Sequence, residues 1–236
     1  MQGNLKAQIK GVTDSEVTTE YVTDPSITAG ASYTSDVSST DGLTFAQPDW
    51  VKEAGNSKSY NKVKNVTKES KYFTQYLISF NNVSGDHDDA DASKVSVILT
   101  GVSITGDSNA VKWARVAINT NVTADTTNKI LSSGTGNTTY LYQSSVTDAT
   151  SKYVAPVETA GTALNLVSCT PTPVATNSIT DTTVVASLEK GEANVKTIGV
   201  SVWLEGTMTG DESQDLAKGE QLNVALTFKT GDVANA

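Results

Sequence analysis

Ile198-Gly-Val-Ser-Val-Trp-Leu204 is the stretch on which the fold class turns. Ile198, Val200, Val202 and Leu204 fall on one side of an extended chain; Gly199, Ser201, Trp203 and Glu205 fall on the other. A period of two marks a β-strand, because successive side chains of a pleated backbone leave opposite faces. Further on, Leu222, Val224, Leu226 and Phe228 alternate in the same way with Gln221, Asn223, Ala225 and Thr227.

The pattern recurs upstream. In Tyr72-Phe-Thr-Gln-Tyr-Leu-Ile-Ser-Phe80 the even-numbered residues share a face, and Phe73 and Leu77 lie on the other, which predicts a central strand covered on both sides. Val95, Val97 and Leu99 alternate, and Val102-Ser-Ile104 continues the strand or bulges from it. Val111-Lys-Trp-Ala-Arg-Val-Ala-Ile118 reads as one core strand, with Trp113, Arg115 and Ala117 on one face and Ala114, Val116 and Ile118 on the other. The turn Ser132-Ser-Gly-Thr-Gly-Asn137 between Ile130-Leu131 and Thr138-Thr-Tyr-Leu-Tyr142 predicts a hairpin. Shorter strands are expected at residues 5–9, 16–22, 43–46, 164–169 and 183–188. Residues 25–40 read as irregular, residues 56–71 as polar, and residues 119–129 as a loop. One short helix is expected near 211–217, between the acidic start at Asp211 and the stop at Gly219. Roughly ten strands suit two packed antiparallel sheets. The expectation is an all-β jelly-roll sandwich, one domain over residues 13–236, preceded by a separable strand within residues 1–12.

Composition agrees and narrows the role. Thr and Val replace the Glu, Lys and Leu of a helical protein, and branching at Cβ favours the pleated surface. The 236 residues carry 17 Lys and Arg against 26 Asp and Glu, a formal charge of -9. That balance disfavours nucleic acid, whose phosphates demand a basic surface. No apolar run is long enough for a membrane-spanning helix. The opening Met1-Gln2-Gly3 has neither the basic nor the apolar part of a signal peptide. Cys169 is the one cysteine, expected as a buried small hydrophobe instead of half of a disulfide within the chain.

Chemistry-bearing clusters are few. Asp86, Asp88 and Asp91, around the single His87, form the densest set of oxygen ligands and the weak candidate for a hard cation such as Ca²⁺. Their spacing is not that of a helix–loop–helix calcium loop, and a solvated acidic turn is the simpler expectation. No cofactor is expected. With one His there is little room for a catalytic triad, and neither a nucleophile elbow nor a zinc-protease helix occurs. The chain is therefore read as a non-enzyme. Trp50, Trp113 and Trp203 offer an alternative: an exposed pair of them would stack on a cell-surface glycan. A viral capsid or tail jelly roll is another alternative.

The first strand carries the sharpest reading. Leu5, Ala7 and Ile9 alternate with Asn4, Lys6, Gln8 and Lys10 at the very start of the chain. A terminal strand can leave its own domain and complete the sheet of a neighbour, with main-chain bonds giving affinity and alternate side chains filling pockets. Repeated head to tail, that exchange builds an open fibre.

Three patches resemble the TasA/camelysin group of secreted β-sandwich subunits of biofilm-matrix and surface fibres. They are Lys71-Tyr-Phe-Thr-Gln-Tyr-Leu-Ile-Ser-Phe-Asn-Asn82, Val111-Lys-Trp-Ala-Arg-Val-Ala-Ile118 and Ile198-Gly-Val-Ser-Val-Trp-Leu-Glu-Gly206. The resemblance implies a non-catalytic jelly-roll subunit, extracellular or at the cell surface. It also implies self-association by donor-strand exchange, with Leu5, Ala7 and Ile9 as donor anchors.

Overall fold

The computed structural model describes residues 5–11, 18–21, 26–33, 37–52, 58–66, 72–82, 94–125, 130–144, 153–159, 162–169, 174–175, 183–189, 195–205 and 218–232. In chain order the first strands are β1 (Leu5–Gly11), β2 (Thr18–Tyr21), β3 (Ser26–Ser32), β4 (Phe45–Lys52), β5 (Lys58–Val66), β6 (Phe73–Asn82) and β7 (Lys94–Gly106). A short helix, α1 (Ser108–Trp113), precedes β8 (Ala114–Asn119), β9 (Val122–Asp125), β10 (Ile130–Ser133) and β11 (Thr139–Gln143). Then come β12 (Tyr153–Thr159), β13 (Thr162–Cys169), β14 (Val174–Ala175), β15 (Thr183–Glu189), β16 (Val195–Leu204) and β17 (Gln221–Asp232).

The all-β sandwich is built from two sheets. One has seven strands in the order β14-β11-β8-β16-β6-β1-β2, the other four in the order β15-β7-β17-β3. Their ladders are antiparallel except for the short β11–β14 pair. The chain crosses repeatedly between the sheets: β6, β7 and β8 alternate sides, and so do β15, β16 and β17. Consecutive strands thus supply opposite walls of one core. Ile78 and Phe80 of β6, Val116 and Ile118 of β8, and Ile198, Val200, Val202 and Leu204 of β16 meet Val95, Val97 and Leu99 of β7 and Leu222, Val224, Leu226 and Phe228 of β17. These are the alternating sets read from the sequence. Burying each such side chain contributes about 1.5–3 kcal/mol. The remaining ladders are β12-β13-β5-β4 and the hairpin β9-β10.

β7 both continues and bulges. Thr227 stands opposite Gly101 and Phe228 opposite Leu99, which leaves Thr100 as an extra residue. The inserted residue shifts the inward series from Val95, Val97 and Leu99 to Val102 and Ile104.

Several expectations change. The strand expected over 111–118 begins only at Ala114, because residues 108–113 form α1. Glu220 supports this turn: its carboxylate accepts hydrogen bonds from Asn109 Nδ2 and the Ala110 N–H, each at 2.8 Å, at the open end of the helix. Trp113 therefore joins the core with Val116, and not a face shared with Ala117. Residues 25–40 contain β3, and residues 56–71 contain β5; ladder partners override weak local pattern there. The strand expected at 43–46 is β4, which starts at Phe45 and passes through Pro48; β4 is an edge strand, where a missing N–H is tolerated. The expected hairpin does not form. β10 turns back onto β9, inside the expected loop, while β11 joins β8. The helix expected at 211–217 lies outside the described residues, and among these α1 is the one helix.

Candidate subunit interface

β1 lies antiparallel on β6 over its whole length, from Leu5 opposite Asn82 to Gly11 opposite Tyr76. Ala7 stands opposite Phe80 and Ile9 opposite Ile78, and Phe80 and Ile78 are buried in the core between the sheets. The expected anchors thus occupy register positions matched to core positions of β6. β1 is not itself the sheet edge: β2 pairs with it from Lys6–Tyr21 to Ile9–Thr18. In the chain alone, the first strand completes its own sheet.

β6 is held independently of β1. On its other edge it pairs with β16 over a continuous register from Phe73–Trp203 to Asn81–Val195. Ser79 Oγ and Thr197 Oγ1 share a 2.9 Å hydrogen bond across that ladder. Thr74 Oγ1 accepts from the buried Tyr33 hydroxyl at 3.0 Å, which ties β6 to the segment after β3 in the facing sheet. Burial raises the Tyr33 pKa far above the ordinary phenol range, although its bond to Thr74 opposes the shift. Phe73 stacks on Phe45.

The outer face of the seven-stranded sheet is covered by residues 37–45, a strap that closes a second apolar cluster. Val37, Phe45, Phe73, Ala117, Leu141 and Trp203 form it. Val37 donates from its N–H to the Leu204 carbonyl at 3.0 Å. The middle of the strap is a polar turn. Asp41 Oδ1 accepts from the Leu43 and Thr44 N–H groups, each at 2.8 Å, and Ser39 Oγ accepts from the Gly42 N–H at 2.9 Å. Gly42 has φ +68°, a conformation that disfavours a side chain, and an added Cβ would collide with the Ala117 Cβ.

Three buried polar residues fasten this turn. Gln75 of β6 donates from Nε2 to the Gly42 carbonyl at 2.9 Å and to Ser201 Oγ at 3.1 Å, and its Oε1 accepts from the Leu131 N–H at 2.9 Å. Ser201 of β16 donates to the same Gly42 carbonyl at 2.5 Å. Asn119 of β8 donates to the Asp41 carbonyl at 2.8 Å while its Oδ1 accepts from Asn137 Nδ2 and Thr139 Oγ1. Buried amides are tolerated because both ends find partners. These residues were not apparent from alternation, which treats Gln75 and Ser201 as the polar side of their strands. The local signal was the Asp41-Gly42 pair, a turn former in an otherwise featureless stretch.

Other candidates fare differently. Trp113 and Trp203 are both fully buried, one in the core and one under the strap, so they do not form an exposed stacking pair. Trp203 donates from Nε1 to the buried Glu205 Oε2 at 3.0 Å. Arg115, also fully buried, donates from Nη1 to the Ala114 carbonyl at 2.9 Å. Asp86, Asp88 and Asp91 lie outside the described residues. Among the described residues no three His, Cys, Asp or Glu side chains gather as a metal site, and no helix is long and apolar enough to cross a membrane. Cys169 stands on β13 opposite Tyr153. Compared with known proteins, the chain matches no family, no curated protein and no solved structure.

Proposed function

We propose that this chain is a non-catalytic structural subunit of an extracellular or cell-surface filament, a jelly-roll sandwich that polymerises head to tail by exchanging its first strand. The carrying observation is the position of β1. It is the first strand of the described chain, it covers one edge of β6 from Leu5 to Gly11, and β6 has its other anchors elsewhere. If β1 withdraws, β6 becomes an edge with unpaired main-chain groups, an acceptor for a strand of the same sequence. The β1 of a second copy restores the same register, so the neighbour needs no new complementarity. Each subunit then gives one strand and takes one, and where the donor goes to a different copy from the one that supplies the acceptor's strand, the exchange repeats head to tail as an open thread.

The test is electron microscopy of the concentrated protein beside the Leu5→Asp, Ile9→Asp double variant. The native chain is expected to form open threads and the variant to remain monomeric. Threads of normal length from the variant would refute the assignment. Closed dimers from the native chain would show exchange without propagation and refute the filament.

A further inference from the structure

We infer that Gln75 is a positioning residue for the acceptor edge: by fastening the 37–45 strap to β6, its amide keeps that strand in line while β1 is absent. The inference rests on the assembly reading above and adds a determinant outside the donor strand.

Gln75 immediately precedes Tyr76, the position opposite Gly11, so it sits at one end of the acceptor register. Its single side-chain amide reaches three elements: the strap at Gly42, β16 at Ser201 and the start of β10 at Leu131. All three partners lie off the β1 side of β6. Losing β1 removes one of the two ladders that hold β6, and strands with one ladder fray first. The amide of Gln75 then becomes a larger share of what keeps β6 in place. Its removal would leave the Leu131 N–H buried without that acceptor, a loss felt in both states but most where β6 has the fewest restraints.

Asn119 supplies the comparison. It also holds the strap, through the Asp41 carbonyl, but it stands on β8, which is separated from β6 by β16. If the strap mattered only for general stability, loosening it from either residue would have the same consequence for the acceptor. If it positions β6, only the Gln75 attachment matters there.

The experiment uses the full chain carrying Leu5→Asp and Ile9→Asp, whose own donor is impaired, and a fluorescent synthetic peptide of residues 1–12. Peptide affinity and release rate are measured for this parent and for the same chain with Gln75→Met or Asn119→Ala. Gln75→Met is expected to weaken capture roughly tenfold, mainly through faster release, and Asn119→Ala by less than about twofold, although both lower the melting temperature. Ser201→Ala, which removes one partner of Gln75 with little volume change, should weaken capture in the same direction by about threefold and serves where Gln75→Met does not fold. Hydrogen exchange of residues 76–82 in the peptide-free chain should speed up with Gln75→Met or Ser201→Ala and not with Asn119→Ala. Equal weakening by the Gln75 and Asn119 variants, or none by Gln75→Met and Ser201→Ala, would overturn this inference alone. Failure of the parent to capture the peptide would overturn the assembly reading together with it.

Discussion

Phe45 stacks on Phe73 with ring centroids 3.9 Å apart and planes 4° from parallel. Trp203 meets the Phe45 ring edge-on at 5.6 Å. The strap therefore ends in an aromatic clasp on the outer face of β6 and β16, and one consequence is a stability test. Phe45→Ala should destabilise the chain by about 3–5 kcal/mol, the usual cost of an aromatic-sized cavity, whereas Phe45→Leu should cost less than half of that. Urea unfolding followed by tryptophan fluorescence checks both, because Trp203 borders the cavity.

Gly42 and Gly136 separate backbone strain from collision. Both have positive φ, +68° and +73°. A Cβ at Gly136 would meet open space, whereas one at Gly42 would strike Ala117. Gly136→Ala should cost about 1 kcal/mol, from the left-handed backbone alone. Gly42→Ala should cost about 2–4 kcal/mol, since the tightly packed outer cluster must also shift. Similar melting temperatures for the two variants would contradict the placement of the strap.

Alkaline pH probes the buried tyrosines. Burial, first, pushes the Tyr142 pKa up to about 12; its hydrogen bond to Thr183 opposes this and nearby Tyr140 adds to it. Tyr33 moves in the same direction, again mainly by burial. A phenol in the unfolded chain ionises near pH 10. Between that value and about 12 the unfolded state releases a proton that folded Tyr142 keeps. The stabilisation is complete below pH 10 and is lost as pH rises through 12. The denaturant midpoint should therefore fall across this window, and Tyr142→Phe should flatten the slope. Tyrosinate absorbance should show that neither phenol ionises near pH 10 while the chain stays folded.

A cross-link tests whether β1 must leave. Gln8 stands directly opposite Ser79 in the β1–β6 ladder. Directly opposed positions of an antiparallel pair have Cα atoms about 4.5–5.5 Å apart, within the range a disulfide spans. In a Cys169→Ser background, Gln8→Cys with Ser79→Cys should form an intramolecular disulfide, hold the chain as a monomer when oxidised, and release it to polymerise on reduction. Filaments assembled from the fully oxidised protein would show that β1 is not exchanged.

Legibility from sequence followed packing. Ile198 to Leu204, Leu222 to Phe228 and Val95 to Leu99 were readable because each buries one set of alternating side chains between two sheets, and burial imposes the alternation. β5 and β3 were missed because Lys58–Val66 and Ser26–Ser32 carry little apolar pattern and owe their strand state to their partners in the ladder. α1 reads as the start of a strand because its six residues are too few for helical periodicity, and the acceptor for its first turn, Glu220, is distant in the chain. The first strand was legible as a strand; its neighbour β6 was not, since pairing partners are chosen by topology.

By itself the sequence determined the class and the core. Strict alternation in a Thr- and Val-rich chain leaves one low-energy arrangement for those side chains, strands with a buried face. Tertiary structure alone decided what covers the outer face. Gln75, Ser201 and Asn119 look like solvent-facing polar residues until the strap reaches them. Their hydrogen bonds join positions as far apart as Gly42 and Ser201, and no local pattern records a contact between segments so distant in the chain.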